Sequence, residues 1–261
     1  MWRQLALGLL LILSLSWGQA VGARNLARSP RQVASWTPGA VSPTVITANE
    51  PPADIQAQYP WLAGQATVEM KFTHSDPFTV TLYGDHAPVT AGNFLDLVAA
   101  GHYQNIPINV DRGFLVRVIA PDYTDPVTGA VRYLPVEVQP ETSATIHYGY
   151  TFRQDFRDTD IPVLKNAYRG SIALAHPEGD ANHGSAQLLV SYGNGQLIPF
   201  TGNELDGTYA VFGYIDADFI NYANPSADVL SQIEPDDQLE YIRVVAGLEN
   251  LHRPANLTGA E

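Results

Sequence analysis

The sequence predicts a mainly β protein, a closed barrel with helical caps. Short β-rich runs with period-two alternation recur from about residue 64 to residue 246. Only two stretches carry helical spacing, one early at residues 88–100 and one late at residues 227–233. Strands that are not interleaved with helices cannot build a parallel crossover sheet, and closure into a barrel is the arrangement that removes exposed strand edges.

The elements follow in order. Residues 67–72 and Phe78–Tyr83 place Val68, Met70 and Phe72, then Phe78, Val80 and Leu82, on one face each. The turn-forming His74-Ser75-Asp76-Pro77 between them makes a hairpin. Pro88 suits the first turn of a helix, where its missing N–H costs nothing. Phe94, Leu97 and Val98 then repeat at helical spacing, and Gly101 stands where a C-terminal cap belongs. Further strands are expected at residues 114–119, 134–138, 170–175, 187–191 and 209–215, with a final strand at Gln238–Ala246. A long loop carrying Asp122, Asp125, Pro126 and Gly129 follows the strand at 114–119. No internal repeat is visible.

Upstream of the barrel the pattern changes. Residues 1–23 read as an export signal: Arg3, an apolar stretch over residues 5–15, and small residues at Gly18-Gln19-Ala20 or Val21-Gly22-Ala23. That stretch is short of the roughly 20 residues that span a bilayer. An uncleaved N-terminal tether is the alternative. Residues 24–63, with Pro30, Pro38, Pro43, Pro51, Pro52 and Pro60, read as a proline-rich linker. Residues 64–251 form the folded domain and 252–261 a C-terminal tail.

Composition excludes several function classes. A formal net charge of −13 without a Lys/Arg-rich run repels nucleic-acid backbones and anionic membrane surfaces. The absence of cysteine removes disulfides, thiol catalysis and a lipid-bearing thiol. No Gly-x-Ser-x-Gly elbow and no Gly-Lys-Ser/Thr phosphate cradle occurs. The stretch from His176 to His183 gathers potential metal ligands (His176, Glu178, Asp180 and His183), yet its Pro177, Gly179 and Gly184 read as a polar loop joining two strands. The acidic Asp122, Asp125, Glu234, Asp236 and Asp237 read as solvated loops. Neither a metal nor a cofactor is expected, and the chain is expected to be a monomer.

Several motifs stand in one order: Ala87-Pro88-Val89-Thr90-Ala91-Gly92-Asn93-Phe94, Tyr103, Gly113-Phe114, Gly170, Gly184-Ser185, Gln187, Leu205-Asp206-Gly207 and Val211-Phe212-Gly213. In these the chain resembles the cyclophilin family of peptidyl-prolyl isomerases. Ala66-Thr67-Val68-Glu69-Met70-Lys71 and Val244-Val245-Ala246-Gly247-Leu248-Glu249-Asn250-Leu251 resemble its thylakoid-lumen and cyanobacterial subgroup. The resemblance implies an eight-stranded antiparallel cyclophilin-like barrel capped by two helices. It also implies partners among proline-containing polypeptide segments, with subunits of photosynthetic membrane complexes as one such class, and a location in the periplasm or thylakoid lumen.

Isomerisation about an X-Pro bond needs no nucleophile or metal. It needs an apolar pocket for the pyrrolidine ring and a donor that favours the twisted amide. By the resemblance Val110 stands where the family carries its arginine, leaving Arg112 and Arg117 as candidate catalytic donors; Arg117 itself stands at a glutamine position. Phe114, Gln187, Leu189, Leu205, Tyr209, Ala175 and Asn109 are the candidate substrate-binding residues. Phe114 and Gln187 are expected to frame one apolar notch. Glu204, at the position of a tryptophan associated with cyclosporin, implies poor cyclosporin binding. Without the resemblance, Phe114, Leu189 and Leu205 read as barrel core. Two functions stay open: an isomerase, or a binding module that keeps the groove without turnover.

Overall fold

The computed structural model describes residues 50–111, 114–151, 161–191, 205–221, 223–255 and 257. The export signal and most of the linker lie outside these. Among the described residues eight strands close into an antiparallel barrel: β2 (Gln65–Phe72), β3 (Phe78–Tyr83), β4 (Gln104–Asp111), β5 (Leu115–Val118), β8 (Ser171–Leu174), β9 (Leu188–Ser191), β10 (Val211–Ile215) and β11 (Gln238–Ala246). Around the wall the order is β10-β3-β2-β11-β4-β5-β9-β8, so β8 pairs back with β10. Inward positions follow the period of two read from the sequence. Val68, Met70 and Phe72 of β2 and Phe78, Val80 and Leu82 of β3 are all buried in the barrel core.

β4 has no counterpart among the strands expected from the sequence. Asn105 takes a positive φ of 52°. Pro107 sits where the strand changes partner: Gln104 to Pro107 face β11, and Ile108 to Asp111 face β5. A residue without an N–H is tolerated where one ladder ends and the next begins.

Two α-helices occur among the described residues, α1 (Ala53–Gln56) and α2 (Pro88–Ala99). α2 is buried from Pro88 to Leu95 and again at Leu97 and Val98, and Gly101, at φ +73°, ends it. The late helix expected at residues 227–233 is instead two 3-10 turns, Pro225–Ala227 and Val229–Gln232. Asp228 separates them, its carboxylate accepting from the Leu230 N–H at 3.1 Å. A residue whose side chain caps the following turn interrupts a continuous α-helix.

The expected boundaries of the folded unit are also corrected. Trp61 and Leu62 form β1 (Trp61–Leu62), pairing antiparallel with β12 (Leu251–His252). The Trp61 and His252 rings stack at 4.1 Å. Gly92 of α2 admits this pair, since a Cβ there would stand 2.3 Å from the Trp61 Cα. Residues 53–62, inside the span read as linker, and His252, read as tail, are therefore folded. The strand expected at 134–138 is reduced to β6 (Glu137–Val138), which makes a separate ribbon with β7 (His147–Tyr148). No helix among the described residues is long and apolar enough to cross a membrane.

Candidate functional site

The wall formed by β4, β5, β9 and β8 has two chemically different faces. Val116 and Val118, Leu188 and Val190, and Ile172 and Leu174 point into the barrel core. The alternate positions point outward, and register aligns them in one row: Asn109 opposite Arg117, Arg117 opposite Leu189, Leu189 opposite Ala173. Arg117 and Asn109 are exposed, whereas Leu189 is 3% exposed. A cation thus stands beside an apolar residue on an outward face.

One end of this face opens into a cleft of about 380 Å³. Arg117, Ala175 and Gln187 line it together with Ser185. Its opposite wall comes from the long loop and from the segment between β8 and β9: Asp122, Tyr133, His176, Pro177, Asp180 and His183. The His183 Nδ1 lies 2.6 Å from the Asp180 carboxylate, and this hydrogen bond holds the Asp180 carboxyl below its ordinary range. The Tyr133 and His183 rings meet at 4.7 Å, and the Tyr133 hydroxyl reaches Asp122 at 3.5 Å. The Ser185 hydroxyl accepts from the Tyr123 N–H at 3.0 Å, tying the loop to the sheet. Among the described residues no group of three metal-ligating side chains converges.

The structure thus brings Arg117, Ala175 and Gln187 to one cleft. The other predicted site residues among the described ones stand outside its lining. Phe114 is at the tip of the β4–β5 hairpin, its N–H donating to the Asp111 carbonyl at 3.0 Å, and its side chain is 60% exposed rather than in the core. Leu115 pairs with Ser191, so Gln187 begins roughly 13 Å further along β9 at about 3.3 Å per residue. Phe114 and Gln187 therefore mark two ends of the outer face instead of framing one notch. Tyr209 stacks on His176 at 4.1 Å, and the His176 Nε2 is 3.1 Å from the Thr208 carbonyl. Leu205 is half-buried, its carbonyl accepting from the Asn166 side-chain amide at 3.2 Å. The neighbouring Asp206 accepts from the Asn166 N–H, and burial pushes its carboxyl up to about 6.

Val110 packs against the barrel core, so the position matched to the family's arginine does not face this surface. Arg112 and Glu204 lie outside the described residues. The sequence reading missed Tyr133, Asp122 and His183 as cleft walls. The His176 to His183 stretch did signal a polar loop between two strands, but its closeness to Arg117 follows only from the pairing of β5 with β9.

Two buried clusters hold the surroundings of the site. Glu137 accepts from the Val89 and Thr90 N–H groups, at 3.1 and 2.8 Å, capping the N-terminus of α2. Burial pushes its carboxyl up to about 7 against the opposing pull of those bonds. Arg132 donates to Asn93 at 3.1 Å, Asp96 at 2.7 Å and Asp125 at 3.1 Å, and lies over the Tyr123 ring at 4.7 Å. Asn93, one of the motif residues, in turn donates to the Ser185 carbonyl at 3.2 Å.

Residues 67–236 match the family described as cyclophilin-type peptidyl-prolyl cis-trans isomerase/CLD. The chain is 34% identical over 220 residues to a chloroplastic peptidyl-prolyl cis-trans isomerase of Arabidopsis thaliana, covering 78% of this chain and 48% of that protein. It is 33% identical over 202 residues to a Synechocystis protein named as a thylakoid lumen peptidyl-prolyl cis-trans isomerase, covering 75% of this chain and 51% of the relative. The chain thus spans about half the length of these curated relatives. A crystal structure of a Cryptosporidium parvum cyclophilin-type isomerase, obtained in the presence of the dipeptide Ala-Pro, aligns at 19% identity with a TM-score of 0.44, covering 69% of this chain and 99% of that one.

Proposed function

Since this chain belongs to the cyclophilin-type peptidyl-prolyl cis-trans isomerase family, we propose that it accelerates rotation about X-Pro bonds in exported proteins and so assists their folding or assembly. The names of its chloroplast and thylakoid-lumen relatives support a lumenal site of action. The residue that carries the reading is Arg117, an exposed cation whose cross-strand neighbour Leu189 is apolar and whose cleft-side neighbour is Gln187.

The uncatalysed barrier of about 18–20 kcal/mol arises from amide resonance. Twisting the bond localises the nitrogen lone pair and leaves the carbonyl more ketone-like, so a fixed donor and a fixed ring lower the barrier together. The half-buried Leu115 supplies an apolar surface for the ring, with the exposed Phe114 next to it at the hairpin tip. Arg117, Asn109 and Gln187 supply donors beside it. No bond is made or broken, so no proton acceptor, metal or nucleophile is required of the site.

The test is exchange spectroscopy on a short Ala-Pro peptide with the full chain. Wild-type protein is expected to accelerate cis–trans exchange, and Arg117→Ala to lose on the order of 100-fold, the scale seen when one preorganised donor is removed. Peptide binding without any acceleration would establish the binding module in place of the enzyme.

A further inference from the structure

Seven lysine and arginine side chains lie among the described residues. Lys71, Arg132, Lys165, Arg169, Arg243 and Arg253 each form an ion pair with a carboxylate. Arg117 forms none, although the chain carries 27 acidic residues against 14 basic ones. In a protein with such a surplus of carboxylates, the one unpaired described Lys or Arg side chain lines the cleft. The carboxylates that line the cleft with it are partly committed: Asp180 to His183 at 2.6 Å, and Asp122 to the Tyr133 hydroxyl at the longer 3.5 Å. Neither lies within ion-pair distance of Arg117 in the structure.

The cleft also has a fixed relation to the half-buried Leu115. Leu115 and Arg117 share the outward face of β5, about 6.6 Å apart along the strand. Consecutive Cα atoms of a bound segment are 3.8 Å apart. With a proline ring on the half-buried Leu115, the carboxylate side chain of an adjacent residue and the long Arg117 side chain together span the remaining distance over the cleft. Guanidinium against carboxylate is the pairing that satisfies both groups by two parallel hydrogen bonds.

We propose that Arg117 selects substrates, so that the cleft admits polypeptide segments carrying a carboxylate side chain beside the proline. This rests on the isomerase reading for the position of the ring, but its test separates the two. Asp122, which lines the same cleft, limits the preference by repelling the same carboxylate. Arg117 acts here as a specificity residue, distinct from any part it plays in turnover.

The experiment uses the full chain and three blocked peptides that differ only in the residue before proline: Glu, Gln or Lys. Affinity is read by NMR titration and turnover by exchange spectroscopy. At low salt the Glu peptide is expected to bind about tenfold more tightly than the Lys peptide, with Gln between. The ratio should shrink several-fold in 0.5 M salt, where screening shortens to a few ångströms. Arg117→Gln should bring the three affinities together, and Arg117→Lys should retain part of the order. Because the readout is a ratio of binding constants, a variant that has lost turnover still reports. Equal affinities in the wild type, or an unchanged order in Arg117→Gln, would overturn the selection while leaving the isomerase in place. Charge-ordered binding with no acceleration of any peptide would do the reverse.

Discussion

Glu137 shows how one buried group makes the protein sensitive to pH. Its carboxylate caps α2 through two backbone N–H groups, and burial nonetheless raises its pKa from 4.5 to about 7. The folded protein therefore holds a proton that the unfolded chain releases at lower pH. Stability from this group is fully present below about pH 4.5 and is lost as pH rises through 7. The full swing is on the order of 3 kcal/mol, at about 1.4 kcal/mol per unit. Asp206, raised to about 6, adds a smaller contribution of the same sign. Urea midpoints measured from pH 5 to pH 8 are expected to fall, and Glu137→Gln is expected to flatten much of that slope. An unaltered slope in Glu137→Gln would mean that other groups carry the dependence.

At the scale of elements, α2 is held from outside as much as by its own core face. Arg132, with its side chain 6% exposed, bridges Asp96 on α2 and Asp125 in the long loop, and Asp96 also holds Arg253 near the C-terminus. Removing the guanidinium strands buried carboxylates, which costs about 3–5 kcal/mol. Arg132→Met is thus expected to lower the urea midpoint strongly. The double variant Arg132→Met/Asp125→Asn should recover part of the loss, because the second change removes one stranded charge. The same loop supplies Asp122 and Tyr133 to the cleft, so Arg132→Met should also weaken peptide binding. Similar geometry explains Asp216, which accepts hydrogen bonds from Thr79 and from Thr81, the latter at 2.7 Å, where β10 ends beside β3.

For the whole molecule, closure depends on pairings between distant parts of the chain. β11 spans the wall between β2 and β4, and β1 meets β12 beside α2. Leu62 is fully buried and Trp61 is 8% exposed. A chain beginning at Gly64 loses both, about 3–6 kcal/mol at about 1.5–3 kcal/mol per large apolar side chain. A chain beginning at Glu50 keeps them. Thermal melts should place the shorter chain well below the longer one, and coincident melting temperatures would show that β1 adds nothing to the barrel.

Sequence alone determined the parts of this protein whose signal is local. Period-two alternation revealed the inward faces of β2 and β3, and Pro88 with Gly101 marked the limits of α2, because side-chain direction along a strand and caps on a helix depend on neighbours a few residues away. It also singled out Arg117, Ala175 and Gln187. Only the tertiary structure decided that these three share a cleft, that Phe114 stands at a hairpin tip, and that Val110 faces the core. It alone made Pro107 a point of partner exchange, and joined Trp61 to His252. Each of these is set by register between strands far apart in the chain, and a one-residue shift in register sends a side chain to the opposite face, which no local pattern encodes.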